Sequence, residues 1–206
     1  MLTVLDTPLI TAKLAVMRDK HTSCEIFAQR LNEIASLMVY EVTKNLKTRS
    51  IEIETPMGLC QTAEIAGDIV LVPILRAGMG LTEGFKHLIP SAKVGVVGLY
   101  RNEETLMPVE YLVKLPKNLA DSTVIVLDPM LATGGSSAAT IDILKQNGAK
   151  DIRLVCLVGV PEGVKKIEET HPDVDIYLAA MDDHLNEIGY IVPGLGDAGD
   201  RIFGTI

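Results

Sequence analysis

Apolar residues dominate four stretches of the chain: Ile69–Leu75, Lys93–Tyr100 (from Val94 onward), Val124–Leu127 and, interrupted only by Arg153, Ile152–Val160. A shorter stretch follows at Val174–Ala179. Runs without polar alternation read as strands covered on both faces of a sheet. Helical spacing lies between and before them. Phe27, Leu31, Ile34, Met38 and Val42 mark one amphipathic helix, with Thr22-Ser23-Cys24-Glu25 in front of it as a capping box. A second helix runs on from about Leu81. Ala138, Ala139, Ile141 and Leu144 mark a third, which Gly148 ends. Pro161-Glu162-Gly163 opens a fourth, with Val164 and Ile167 inside it. Ile51 and Ile53 alternate with Glu52 and Glu54, Pro56-Met57-Gly58 turns, and Leu59–Thr62 returns, which predicts a β-hairpin arm. Residues Met1 to Lys20 carry short apolar patches around Pro8 and read as ordered or as interface. The order β-α-β-α-β-α-β predicts an α/β protein, a mostly parallel sheet flanked by helices, in one domain over residues 1–206.

Ligands of such sheets sit beyond the carboxyl ends of the strands, and three groups suited to anionic chemistry fall there. After Val124–Leu127 come Asp128 and a small-residue loop with Thr133, Gly134, Gly135 and Ser136. A helix follows. Glycines let backbone approach an anion, free N–H groups at the helix start point toward it, and Thr133, Ser136 and Ser137 add hydroxyls. Arg76 ends the Ile69–Leu75 run and precedes Ala77-Gly78; a guanidinium there either meets an anion or lies on the surface. Gly78-x-Gly80 is not a dinucleotide fingerprint, because Glu83 stands where the third glycine belongs. Arg101-Asn102-Glu103-Glu104-Thr105 opens an excursion with hairpin-like pieces at Pro108–Leu112 and Val113–Pro116. It reads either as a solvated charged turn or as the base of an active-site lid. Near the end, Pro193, Gly194, Gly196 and Gly199 predict a loop without helix or strand. Its exposed backbone groups could read a planar base by its edge, or it is a plain surface turn.

These stretches resemble the type I phosphoribosyltransferases, and within them the uracil branch. Leu-Asp-Pro-Met-Leu-Ala-Thr-Gly-Gly-Ser (127–136) is similar to the loop that binds phosphoribosyl diphosphate (PRPP), with Pro129 where other branches carry a second acid. Ile-Leu-Arg-Ala-Gly (74–78), Tyr-Arg-Asn-Glu-Glu-Thr (100–105) and Tyr-Ile-Val-Pro-Gly-Leu-Gly-Asp-Ala-Gly-Asp (190–200) are similar to that branch's other signatures. The resemblance spans nearly the whole chain. It implies a type I phosphoribosyltransferase fold, a PRPP loop at 124–137, a C-terminal base-binding hood at 180–206, and transfer of phosphoribose from PRPP to uracil. It implies Arg76, Arg101, Asp128 and Asp197 as the catalytic set. It places PRPP on those four and on Pro129, Met130, Leu131, Ala132, Thr133, Gly134, Gly135 and Ser136. Uracil falls to Tyr190, Ile191, Gly196, Asp197 and Ala198. It implies Mg²⁺ as cofactor, held through PRPP and water rather than by the chain directly, and a homo-oligomer (dimer or tetramer). GTP activates some members of the family.

Composition narrows the partners. The 206 residues are 48% hydrophobic and carry a net charge of −8, so the surface as a whole repels nucleic acid and anionic lipid. Cys24, Cys60 and Cys156 are scattered without C-x-x-C, which suits a reducing cytoplasm and provides neither disulfide framework nor zinc spacing. No apolar run approaches a membrane span, and Lys13, Arg18 and Asp19 break the N-terminal patches, against a signal peptide. Three rival readings stand beside the first: a phosphoribosyltransferase for another base, a phosphoribosyltransferase-fold RNA-binding regulator, and a P-loop protein. The net charge speaks against the second, and the lack of G-K-[ST] against the third.

Overall fold

A computed structural model describes residues 1–101 and 108–205, with backbone alone at Arg101 and Pro108. In chain order the elements are β1 (Leu2–Val4), α1 (Pro8–Arg18), α2 (Cys24–Thr43), β2 (Thr48–Thr55), β3 (Gly58–Ile65), β4 (Asp68–Leu75), α3 (Met79–Leu88), β5 (Lys93–Val94), β6 (Val96–Arg101) and β7 (Pro108–Lys114). A single 3₁₀ turn at Leu119–Asp121 leads into β8 (Ser122–Leu131), α4 (Gly135–Gln146), β9 (Asp151–Gly159), α5 (Pro161–Thr170), β10 (Asp175–Met181), β11 (His184–Leu185), β12 (Ile191–Val192) and α6 (Ala198–Phe203).

The main sheet has the order β1-β10-β9-β8-β4-β6-β7, with β5 also on β4. All its pairings are parallel except β6 with β7. Alternate residues face opposite layers. Ile125 and Leu127 join the core under α1, α2 and α3, where Leu14, Phe27, Leu31 and Phe85 are buried. Val124 and Val126 join the core under α4 and α5, with Ile141, Leu144 and Ile167. From β4 the chain crosses to β6 on one side; from β8 it crosses to β9 and β10 on the other. The switch point, where such sheets open a crevice, therefore lies between the carboxyl ends of β4 and β8.

Several expectations are corrected. The central strand does not stop at Leu127 but continues through Pro129 to Leu131. Pro129 is tolerated because β4 pairs with β8 only as far as Pro73–Leu127, so no ladder bond is lost on that side. The third run breaks at Gly95 into β5 and β6, and its N–H bonds the Leu71 carbonyl. One antiparallel strand, β7, replaces the two hairpin-like pieces. The N-cap of α2 is Ser23, whose hydroxyl accepts from the Ile26 N–H; Thr22 instead donates to the Val16 carbonyl at 2.6 Å. The glycine-rich stretch is not wholly free of regular structure, since α6 begins at Ala198 and takes in Gly199. The hairpin arm is present as β2 and β3, both strands longer than the sequence indicated.

Candidate active site

A cavity of about 230 Å³ opens at the switch point. From β8 it takes Asp128 and Met130, which share one face because side chains alternate along a strand, and from just beyond the strand's end Ala132. Pro129 and Leu131 point the other way; Leu131 is fully buried in the α4/α5 core, so any ligand contact there is through main chain. Ala77 comes from the turn after β4. Tyr190 and Ile191 come from the entry to β12, and Gly196, Asp197, Ala198 and Gly199 from the start of α6. Two stretches about seventy residues apart in sequence, both singled out there, thus form one cavity. Asp197 is the N-cap of α6 and accepts the Asp200 N–H at 2.9 Å, which leaves its carboxylate at the cavity wall.

Asp128 opens partly into the cavity, yet burial pushes its carboxyl up to about 7, opposed by a hydrogen bond from the Met130 N–H. Directly across the β8–β9 ladder lies Cys156, whose buried thiol is pushed up by desolvation and then by the Asp128 charge. It is a packed side chain rather than a reactive one.

Beyond this cavity along the same strand, β8 passes through Ala132 and Thr133 into α4. Gly134 has φ +75°, and its missing Cβ would stand 3.0 Å from the Gly163 carbonyl oxygen and 3.1 Å from the Lys166 stem. Gly135 has open space, with the Thr133 hydroxyl 3.7 Å away. Gly134, at the N-cap, has no side chain to cap α4, and the Gly135 N–H makes one long contact, to the Thr133 hydroxyl at 3.5 Å. The start of the helix therefore suits an anion, with the helix dipole behind it. Thr133 and Ser136 are exposed beside it, and Ser137 is buried.

Arg76 sits at the rim, more than half exposed, its guanidinium 3.3 Å from Asp200 and 3.5 Å from the Thr205 hydroxyl. It also lies 5.6 Å over the Phe203 ring. The Leu75–Arg76 peptide is cis, as is Val192–Pro193. Arg101 ends β6, at the same edge of the sheet, while its side chain and the rest of its motif, residues 102–105, lie outside the described residues.

Gly78 and Gly163, to which the sequence assigned no contact of their own at the site, prove structural to it. A Cβ on Gly78 would lie 2.1 Å from the Leu127 carbonyl oxygen, and one on Gly163 would lie 2.4 Å from that of Ala132. Gly78 seats the Arg76 turn against β8, and Gly163 seats α5 against the phosphate loop. The sequence signal was present in both, a glycine just after a buried run, but it does not distinguish close packing from turn geometry.

The whole-chain comparisons agree with this geometry. The family model described as uracil phosphoribosyltransferase matches residues 4–205. A uracil phosphoribosyltransferase of Lacticaseibacillus paracasei is 58% identical over 204 residues, 98% of each chain. One of Lactiplantibacillus plantarum is 55% identical over 203 residues, 98% of this chain and 97% of the other. Among solved structures, the AQ2163 protein from Aquifex aeolicus superposes with a TM-score of 0.93 at 39% identity, covering 98% of both chains. A hypoxanthine-guanine phosphoribosyltransferase from Bacillus anthracis superposes at 0.52 and 12% identity over 75% of this chain and 78% of that one, a likeness of fold alone. With a family match over nearly its full length and relatives above half identity, the chain belongs to the uracil phosphoribosyltransferase family.

Proposed function

We propose that the protein transfers the 5-phosphoribosyl group of PRPP to N1 of uracil, giving uridine 5′-phosphate and diphosphate, a pentosyl transfer of pyrimidine salvage. The observation that carries this reading is the switch-point cavity that joins Asp128 to the main chain of Gly196–Gly199. In this reading the 5-phosphate lies on the N-terminus of α4 at Thr133–Ser136. The ribose spans the floor toward Asp128, and uracil faces the backbone of Ile191, Gly196 and Ala198. Uracil presents two carbonyls and two N–H groups, so main-chain donors and acceptors suffice to read it.

Breaking the C1–O bond builds positive charge on the ribose and negative charge on diphosphate. Arg76 would exchange its contact with Asp200 for the departing diphosphate, and Arg101 is assigned the same duty from the family motif. Asp128 and Asp197 would hold the ribose hydroxyls. Both carboxylates line one cavity, a donor set that suits a divalent cation arriving with PRPP and its water. Mg²⁺ would add charge neutralisation at the diphosphate. The rest is positioning: a bound base held in line with C1 reacts without a protein nucleophile.

A homo-oligomer belongs to the same reading. The β2–β3 hairpin is exposed along nearly its whole length, and a lone two-stranded hairpin is only marginally stable in water. Ile51, Ile53 and Cys60 share one of its faces, with Met57 at the tip. A second copy of the chain would cover that face. GTP is the effector to try as an activator, by titrating it into the assay.

The test is a base panel with PRPP. Uracil turned over far faster than cytosine, hypoxanthine or orotate supports the reading, and preference for any other base overturns it.

A further inference from the structure

The base-reading backbone at Gly196–Ala198 does not hold its own shape. Gly194 lies just before it with φ +62°, and a Cβ there would stand 2.1 Å from the Ile191 carbonyl oxygen. Both polar backbone groups of Gly194 are bound by one ion pair. Its N–H donates to Asp182 Oδ2 at 2.9 Å, and its carbonyl accepts from Arg18 Nη1 at 2.9 Å. Arg18 also grips Asp182 with both ends of its fork, Nη1 to Oδ2 at 2.8 Å and Nη2 to Oδ1 at 2.5 Å. The Asp182 side chain is only 4% exposed, and its own N–H is tied to the Gly159 carbonyl at the end of β9. The pair is therefore anchored to the central sheet.

A second guanidinium works one residue on. Arg201 Nη1 donates to the Leu195 carbonyl at 2.9 Å and to the Met17 carbonyl at 2.5 Å, and Nη2 donates to the Asp19 carbonyl at 2.7 Å. The Arg201 guanidinium carbon stacks 4.4 Å over Phe27, itself fully buried. The Met17 and Asp19 carbonyls stand at the carboxyl end of α1, where helix carbonyls lack intrahelical partners. Arg18 is the last residue of that helix, and Leu14 and Met17 fix it in the core. Both arginines thus connect the end of α1 to consecutive residues, Gly194 and Leu195, immediately before the cavity wall.

We propose that Arg18, Asp182 and Arg201 are positioning residues for base recognition, which makes the last turn of α1 the brace that sets where Gly196 and Ala198 present their backbone groups. None of the three lines the cavity; they act through Gly194 and Leu195. The fork geometry is essential, because one planar guanidinium satisfies a carboxylate and a carbonyl together, while an ammonium is a single point charge. This proposal rests on the uracil reading of the cavity only for the identity of the base.

The test uses the full-length enzyme with Arg18→Lys and Arg201→Lys, which keep the charge beside Asp182 and the carbonyls and so spare the fold, together with Arg18→Ala. In Arg18→Lys and Arg201→Lys the KM for uracil should rise by roughly tenfold to a hundredfold, the range a displacement of about 1 Å can produce, while the KM for PRPP stays within about twofold. Arg18→Ala should raise it further. Hydrogen exchange should quicken at residues 196–199 and not at residues 135–138. Unchanged exchange at 196–199, or uracil and PRPP KM values rising together, would overturn the brace. If the wild type prefers another base, the functional reading fails, and the brace is then judged on that base's KM and the same amides.

Discussion

Gly78 is packed against Leu127 so closely that a Cβ on the glycine would meet the leucine carbonyl oxygen at 2.1 Å. The same added carbon would come within 2.7 Å of the Ile74 nitrogen. The turn that carries Arg76 and Ala77 therefore rests directly on the strand that carries Asp128. Gly78→Ala has only backbone to push against, so the two strand ends must separate. Overpacking of this kind costs about 1–3 kcal/mol, or roughly 2–12 °C in Tm for a chain of this size. Calorimetry should record that loss, with a fall in kcat. An unchanged Tm would mean the turn is free to move.

The phosphate loop offers a paired test. Gly135 has room for a side chain and ordinary helical backbone, so Gly135→Val should leave Tm within about 2 °C while abolishing measurable PRPP binding, since the new branches occupy the anion's place. Gly134 carries the positive φ and faces the Gly163 carbonyl, so Gly134→Val should unsettle the fold itself. Titration calorimetry with PRPP and thermal melts separate the two. Normal PRPP binding by Gly135→Val would remove the phosphate from this loop.

Asp128 gives a pH dependence with a defined sign. Its folded pKa lies near 7, above the 3.8 of an ordinary aspartate. The folded protein therefore holds a proton that the unfolded chain has already released between these values. The stability this contributes is fully present below about pH 4 and is lost as pH rises through about 7. Asp128→Asn should consequently melt higher than the wild type at pH 8, with the difference shrinking toward pH 4, and should lose most of its kcat. PRPP affinity in the wild type should weaken as pH falls below about 7, where the carboxylate that faces the ribose becomes protonated. A flat PRPP affinity from pH 6 to 8 would contradict this placement.

Base choice should rest on main chain. Ala198 is the first residue of α6, where proline is tolerated, and Asp197 before it has the extended backbone a proline requires. Ala198→Pro then deletes one N–H with little damage to the helix. Cytosine reverses the donor and acceptor sense at two edge positions. A site built on hydrogen bonds can reject such an analogue by roughly 10⁴–10⁵ in kcat/KM. The wild type should show a large uracil-to-cytosine ratio and Ala198→Pro a much smaller one. Ile191 and Leu195 are unsuitable as controls, because both side chains are buried in the α1–α3 core and their truncation would unsettle the loop.

The hairpin should report assembly. Ile53→Glu places a charge on the apolar face of β2–β3 without touching the sheet or the cavity, so light scattering should show a smaller species than the wild type. The same mass for both would assign the face to solvent.

The chain by itself determined the class of fold and the loops that carry chemistry. Short uninterrupted apolar runs with helical spacing between them read as strands covered on both faces, Asp128, Gly134 and Gly135 follow such a run, and Asp197 lies in a glycine-rich loop, in motifs that need no partner to be legible. The sequence misplaced the end of the central strand, because the apolar run stops at Asp128, and an acid that faces the cavity from within a strand looks like the strand's end. It read a structureless end where α6 forms, since Gly199 is a poor helix former but packs against the Ala77 turn, where a Cβ would be 3.7 Å from that of Ala77. Tertiary structure alone decided the supports. Arg18 meets Asp182 across 164 positions, and Arg201 meets Met17 across 184. An arginine or aspartate in a polar stretch carries no local mark of the carbonyl it will bind, because burial and hydrogen-bond partners arise only when the sheet brings distant loops to one edge.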